Sequence, residues 1–220
     1  MTIASHLTAV RARIAAACAR AGRSPDDVTL VAVTKGFPAD AVREAFAAGL
    51  RDFGENRVQE AAEKLPHLAA VRREATWHMI GHLQTNKVKT VLDLFDIIQS
   101  VDSLHLAEAI SRRAPLPLPA FLEVNVTGEP TKYGLNLEDL PREFERIAPL
   151  PGIEVRGLMT VAPLTGNPEE VRPVFRRLRE VALALGLSQL SMGMTGDFEV
   201  AIEEGATHIR VGRAIFGERG

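Results

Sequence analysis

Lys35 stands at the end of the run VTLVAVTK, which covers residues 28 to 35 and is rich in β-branched side chains. We interpret this run as a buried strand. Because side chains alternate along a strand, Val31, Val33 and Lys35 share one face. A lysine on such a face either extends its amine to water at the strand end or lies in a desolvated site. A desolvated amine has a lowered pKa and suits Schiff-base formation with an aldehyde.

Two glycine-containing segments offer hydrogen-bond donors to an anion. The segment SMGMTGD, residues 191 to 197, combines two glycines with the Thr195 hydroxyl and precedes a predicted helix, whose positive N-terminal end would add to the site. The segment IRVGRAIFG, residues 209 to 217, contains Gly212 at a second predicted turn. Ordinary turns and helix caps use the same residue types. The two segments together, opposite an inward lysine, predict a phosphate site.

Other polar residues give weaker signals. His78 and His82 are four residues apart in HMIGH, but Gly81 and the preceding strand pattern argue against a helix, and a third ligand is not evident. We therefore expect no metal site. Asn56, in FGENRVQE, either starts a helix or faces the same site as Lys35.

Predicted strands and helices alternate along the chain. The strands are predicted at 28–35, 51–53, 76–79, 95–99, 120–126, 153–158, 188–191 and 207–211. The helices are predicted at 3–21, 38–48, 55–64, 84–92, 103–112, 137–147, 168–185 and 197–204. Eight strand–helix units in a chain of this length predict an α/β fold, a closed (β/α)₈ TIM-type barrel with an extra N-terminal helix. A doubly wound open sheet is the alternative, but no Gly-x-Gly-x-x-Gly follows the first strand.

Composition excludes several classes of protein. The 220 residues are 46% hydrophobic, which is typical of a folded chain, and we expect a single domain over 1–220. With 26 basic and 28 acidic residues, the net charge of −2 argues against nucleic-acid or membrane partners. Cys18 is the sole cysteine, which excludes an intrachain disulfide and favours a reducing, cytoplasmic location. The N-terminus has no continuous apolar core typical of a signal peptide.

Several motifs together resemble the pyridoxal phosphate homeostasis proteins. They are AVTKGFP, FGENRVQE, WHMIGHLQTNKVK, EVNVTGEPTKYGL, GLMTVAP and SMGMTGDFEVAIEEGATHIRVGRAIFG. The match runs from about Leu30 to Gly217. That family is similar to the barrel domain of alanine racemase and of other fold-type III enzymes that use pyridoxal 5′-phosphate (PLP). The resemblance implies PLP as the cofactor, carried by Lys35 as an internal aldimine. It also implies that Arg210 lies against the pyridine nitrogen and that Asn56 faces the cofactor.

The resemblance also indicates which residues bind the phosphate group of PLP. It implies that Thr195 and the main-chain amides near Met194, Gly212 and Arg213 hold the phosphate group. Position 213 is often a small hydroxyl residue in such proteins, whereas here it is Arg213. The guanidinium either pairs with the phosphate or points to solvent.

Whether the protein turns over a substrate is a separate question. An arginine at the ring nitrogen weakens the electron sink, although racemases of the related fold are similar here. The chain stops near Phe216, where the barrel closes, whereas the racemases carry a second domain that supplies catalytic groups; Tyr133 is the only tyrosine. We therefore expect a monomeric, non-catalytic PLP carrier in intracellular PLP homeostasis, with apo-enzymes as candidate partners. The alternatives are a small amino-acid racemase or lyase, and a barrel enzyme that acts on a phosphorylated sugar.

Overall fold

Eight parallel strands form a closed ring in the computed structural model, which describes residues 2–218. Within residues 2–218 there are nine strands, eight in the ring and one beside it: β1 (Thr29–Val33), β2 (Asp52–Glu55), β3 (Thr76–Met79), β4 (Ile97–Val101), β5 (Leu118–Asn125), β6 (Leu135–Asn136), β7 (Ile153–Met159), β8 (Gln189–Ser191) and β9 (His208–Val211). The ring runs β1-β2-β3-β4-β5-β7-β8-β9, and β9 pairs with β1. The short β6 pairs with β5 outside the ring. The predicted barrel is confirmed.

Helices connect the strands. They are α1 (Ile3–Arg20), α2 (Ala39–Ala47), α3 (Val58–Lys64), α4 (Ala69–Glu74), α5 (Val88–Leu94), α6 (Leu104–Ser111), α7 (Leu140–Ile147), α8 (Arg172–Ala184), α9 (Phe198–Glu203) and α10 (Arg213–Phe216). The additional helices α4 and α10, absent from the sequence prediction, have six and four residues, too few to show a helical repeat. Within residues 2–218, none of these helices combines the length and apolar character that a membrane span requires.

Strand β1 is shorter than predicted. It ends at Val33, so the prediction that the strand continues to Lys35 is wrong. The Thr34 amide still donates to Gly54 O on the neighbouring strand (3.0 Å), but the Phe37 amide then donates back to Thr34 O (3.1 Å) and closes a turn. This turn carries Lys35 out of the ladder and onto the rim of the barrel.

Side chains alternate between two layers along each strand. Phe53 belongs to the outer layer, under the helices, where its ring stacks on Trp77 at 5.3 Å. Phe121 belongs to the interior, where it contacts the His208 ring edge-on at 5.0 Å. Because β5 and β9 are not neighbours in the ring, this contact crosses the barrel.

The extra helix α1 supports the end of the chain. It packs on α9 and α10 through an apolar stripe that includes Leu7, Val10 and Ile14. Arg13 lies 4.4 Å above the Phe198 ring and pairs with Glu199. This helix thus stabilises the two segments that follow β8 and β9, where the phosphate site was predicted.

A substitution at Gly157 tests how closely β7 packs against β8. A Cβ atom at this position would lie 2.0 Å from Gln189 O, whereas a Cβ at Gly166 meets no atom within 4 Å. We expect Gly157→Ala to lower the free energy of unfolding by about 1–3 kcal/mol through overpacking. Gly166→Ala is the control and should unfold like wild type in urea titrations. Equal stability of the two variants would contradict this packing.

Candidate functional site

A cavity of about 640 Å³ opens at the carboxyl ends of the strands. Its volume lies in the range of small-molecule sites. Seven of its lining residues are those selected from the sequence: Lys35, Asn56, Met194, Thr195, Arg210, Gly212 and Arg213. The other lining residues are Val33, Phe37, Ile80, Val161, Pro163, Leu164, Thr165, Gly196, Asp197 and Glu218. The fold brings the selected residues together, while their binding roles stay predictions.

Lys35 is half-buried and borders the cavity together with Val33. This placement agrees with the predicted inward face, although Lys35 lies two residues beyond the strand. Gly36 has a φ of 75°, a left-handed conformation that glycine adopts without strain. The sequence TKG therefore permits the turn that places Lys35 in the lining of the cavity.

A buried ion cluster anchors the main chain on both sides of Lys35. Lys64 Nζ donates to Thr34 O (2.8 Å), to Glu55 Oε1 (2.6 Å) and to Glu60 Oε1 (3.0 Å). Glu60 Oε1 in turn accepts from the Gly36 amide. The carbonyl before Lys35 and the amide after it are thus both bonded to charged side chains.

The carboxyl groups of this cluster differ in pKa. Burial raises the pKa of Glu55, although Lys64 and the Thr34 hydroxyl oppose the shift. Burial also acts on Glu60, but hydrogen bonds from the Gly36 amide and from Lys64 outweigh it and lower its pKa. Sequence reasoning missed this cluster, whose one local signal is the i, i+4 spacing of Glu60 and Lys64.

The turn after β8 is closely packed on α9. Gly193 has a φ of 93°, and a Cβ there would lie 2.6 Å from the Ala201 Cβ. The Met194 amide donates to Asp197 Oδ1 (2.5 Å), so the expectation that this amide holds an anion is not supported by its geometry. Burial raises the pKa of Asp197, opposed by the Met194 hydrogen bond and by Arg210.

Other donors in the two predicted turns are unpaired. Within residues 2–218, the main-chain N–H groups of Thr195, Gly196, Gly212 and Arg213 donate to no acceptor. Unpaired N–H groups in a cavity wall suit an anion. The helices that follow these turns have only six and four residues, so individual amides, rather than the predicted helix end, would bind it.

Arg210 is 4% exposed and lies in the cavity wall. Its Nη1 donates to Ser191 Oγ (2.6 Å) and its Nη2 to Thr160 O (2.8 Å). Burial lowers the pKa of Arg210 to about 10, while Glu123 and Asp197 oppose the shift. The guanidinium therefore remains charged at neutral pH.

Glu123 is a second buried group that sequence reasoning missed. Burial and the neighbouring Asp102 raise its pKa to about 7, although Arg210 acts in the opposite direction. It lies on β5 two residues after Phe121, so both side chains are on the face that points into the barrel. This alternation along the strand is the one sequence signal that could have indicated its burial.

Asn56 faces the cavity and does not start a helix. The predicted helix 55–64 begins at Val58, because Glu55 is the last residue of β2 and Arg57 is the N-cap. The Asn56 Oδ1 atom is buried and has no hydrogen-bond partner within residues 2–218. Burying such an atom costs free energy unless a ligand or a water molecule donates a hydrogen bond to it.

The two histidines belong to separate networks. His78 Nε2 bonds to Asp52 (3.0 Å) and His82 Nδ1 to Asp102 (2.9 Å). Within residues 2–218, no group of three or more His, Cys, Asp or Glu side chains could hold a metal. Tyr133 stacks on His82 at 3.9 Å and does not line the cavity.

Comparisons with known proteins agree with the motifs. A family model described as the N-terminal domain of alanine racemase matches residues 5–220. The pyridoxal phosphate homeostasis protein of Pseudomonas aeruginosa is 47% identical over 223 residues, which cover 99% of this chain and 96% of that protein.

Solved structures show the same architecture. PipY of Synechococcus elongatus PCC7942, with PLP bound, has a TM-score of 0.86 at 38% identity and covers 98% of this chain and 100% of its own. Alanine racemase from Corynebacterium glutamicum has a TM-score of 0.71 at 18% identity, and the match covers 97% of this chain and 62% of the racemase. At such low identity the racemase likeness shows the fold alone.

The buried ion cluster makes a testable contribution to stability. Lys64→Met leaves the fully buried Glu55 without its main counter-ion. We expect the free energy of unfolding at pH 7 to fall by about 3–5 kcal/mol. Adding Glu55→Gln should recover much of that loss. Lys132→Met, which removes a partly exposed pair with Glu129, is the control and should cost less than about 1 kcal/mol.

The pH dependence of Lys64→Met has a definite sign. A carboxyl group whose pKa is higher in the folded than in the unfolded state binds its proton more readily when folded. Lowering the pH from 7 to 5 should therefore restore part of the stability that Lys64→Met loses, as measured by urea unfolding. An unchanged deficit at pH 5 would show that Glu55 is not the destabilising group.

Proposed function

This chain belongs to the pyridoxal phosphate homeostasis protein family, as its motifs predicted, and from that premise we propose that it binds PLP in the barrel mouth and carries it without turning over a substrate. The observation that carries the proposal is the meeting of three groups in one cavity: the Lys35 amine, the unpaired donors of two turns and the Arg210 guanidinium. Each matches a different part of the cofactor.

The residues present fit PLP. An amine suits its aldehyde, unpaired N–H groups and the Thr195 hydroxyl suit its phosphate, and a guanidinium suits its ring nitrogen. The buried, unpartnered Asn56 Oδ1 is a polar atom at the cavity that a ligand would complete. We propose that the phosphate binds to Thr195, Gly196, Gly212 and Arg213, with Met194 contributing to the wall rather than through its amide.

When bound, PLP supplies an aldehyde that reacts reversibly with primary amines and a phosphate that accepts hydrogen bonds. The chain's own contribution is to position the reacting groups. Lys64 and Glu60 hold the main chain around Lys35, so the amine starts from a fixed turn. Arg210 donates without accepting, because a guanidinium with a pKa of about 10 keeps its proton at neutral pH.

The titratable groups around the cavity bear on whether the protein turns over a substrate. Apart from Lys35, the titratable side chains lining it within residues 2–218 are Asp197, Arg210, Arg213 and Glu218. Asp197 is bonded to the Met194 amide and Glu218 is exposed. Racemisation needs an acid or base on each face of the reacting carbon. This arrangement supports a carrier over the alternative, a small racemase or lyase.

Lys35 would hold PLP covalently, and its amine would regain its protons when another primary amine or water took its place. We propose that apo-enzymes which use PLP receive it in this way and that the chain acts as a monomer in the cytoplasm. Within residues 2–218, Lys35 is the only lysine that lines the cavity and could carry PLP in this way.

Covalent attachment identifies the carrier lysine. After incubation with PLP and reduction by borohydride, we expect peptide mass spectrometry to find the pyridoxyl phosphate label on Lys35. Lys35→Ala should lose the label and keep weaker binding, since the phosphate donors lie on other segments. Lys132→Ala is the matched control and should be labelled like wild type. A label on Lys132 with Lys35 unmodified would defeat the assignment.

Turnover separates the carrier from the racemase. In assays over the common L- and D-amino acids, we expect the protein to add little to the rate that free PLP promotes. Turnover on the order of 1 s⁻¹, the low end for enzymes, that disappears in Lys35→Ala would establish an enzyme instead.

A further inference from the structure

A chain of four hydrogen bonds crosses the barrel below the cavity. Arg210 Nη1 donates to Ser191 Oγ (2.6 Å), and Ser191 Oγ donates to Gln99 Oε1 (2.6 Å). Gln99 Nε2 donates to His78 Nδ1 (2.9 Å), and His78 Nε2 donates to Asp52 Oδ1 (3.0 Å). A cavity-lining guanidinium is thereby connected to a carboxylate at the first residue of β2, near the other end of the barrel.

Gln99 is the member that spans the interior. It lies on β4, whereas Ser191 lies on β8, and β5 and β7 separate these strands on one side of the ring. Gln99, Ser191 and His78 are all fully buried. Buried polar groups are costly when one partner is lost, so such a chain stabilises a single arrangement only while it is complete.

With the Gln99 amide oriented as in this structure, the chemistry of the members gives a direction for every bond. A guanidinium has only donors, so Ser191 Oγ accepts a hydrogen bond from Arg210 and donates one to Gln99. The Gln99 amide then accepts at Oε1 and donates at Nε2. His78 must accept at Nδ1 and carry its proton on Nε2, towards Asp52.

We propose that Gln99 is a positioning residue that fixes the orientation of Arg210 from across the barrel. Ser191 and Thr160 O hold the two terminal nitrogens of the guanidinium. Gln99 orients the Ser191 hydroxyl so that its lone pair, not its proton, faces Arg210. The inference rests on the proposed function, in which Arg210 donates to the PLP ring nitrogen.

The test combines two variants with two ligands. Gln99→Leu has a similar volume and removes the hydrogen bonds of the amide to Ser191 and to His78. Ser191→Ala is a smaller change and removes the hydroxyl that accepts from Arg210 Nη1. Ser100→Ala is the control, because Ser100 is also fully buried but donates to Gly81 O and takes no part in the hydrogen-bond chain from Arg210 to Asp52. The ligands are PLP and its carbocyclic analogue, which has a ring carbon in place of the pyridine nitrogen. Affinities are measured by titration, and folding by thermal unfolding.

We expect Gln99→Leu and Ser191→Ala each to weaken PLP binding about tenfold, as for a charge-assisted hydrogen bond. Binding of the carbocyclic analogue should change less than about twofold, since it lacks the atom that Arg210 meets. The double variant should be no weaker than either single variant, because the residues act as one unit. Equal losses for both ligands, or additive losses, would overturn the proposal.

A measurement without PLP keeps this inference separate from the proposed function. Side-chain ¹⁵N NMR should show slow guanidinium rotation for Arg210 in wild type and in Ser100→Ala, and faster rotation in Gln99→Leu and Ser191→Ala. Unchanged rotation in both variants would overturn the positioning role. If wild type binds neither ligand, the proposed function fails, while the NMR comparison still decides whether Gln99 positions Arg210.

Discussion

The pairing of β1 with β9 is the constraint on which the site depends. It closes the barrel and sets Val31 opposite Arg210 in the ladder, although the two residues are far apart in sequence. As a result, the turn that carries Lys35 lies beside the turn at Gly212, and a Cβ at Gly212 would be 3.3 Å from Val33 O. The Lys35 amine and the turn at Gly212 share one cavity because the first and last strands are neighbours.

The buried charged groups of this fold hold neighbouring groups in position. Replacing a buried ion pair by apolar residues is often neutral, whereas removing one partner is costly. Lys64 and Glu55 form such a pair beneath the Lys35 turn. The hydrogen-bond chain through Gln99 ends on Arg210. Two independent polar networks thus support the two sides of the cavity, each holding one residue that would contact the cofactor.

The sequence predicted what depends on local pattern. All eight ring strands were predicted from the alternation of short strand candidates with helical segments, and strand parity places Val31 and Val33 on one face of β1. The end of β1 at Val33 did not follow, because it depends on a turn that closes between Phe37 and Thr34. The contact of Gln99 with Ser191 joins opposite sides of the barrel and leaves no local signal.

We propose that one cavity holds the Lys35 amine, the amides that would bind the phosphate, and the Arg210 guanidinium in reach of a single PLP molecule. A crystal structure of the protein grown with PLP tests this most directly. We predict continuous density from Lys35 Nζ to the cofactor, with the phosphate on Thr195 and Gly212 and the ring nitrogen beside Arg210. Density for PLP outside this cavity, or in it with the phosphate turned away from both glycine turns, would show that these residues do not form the PLP site.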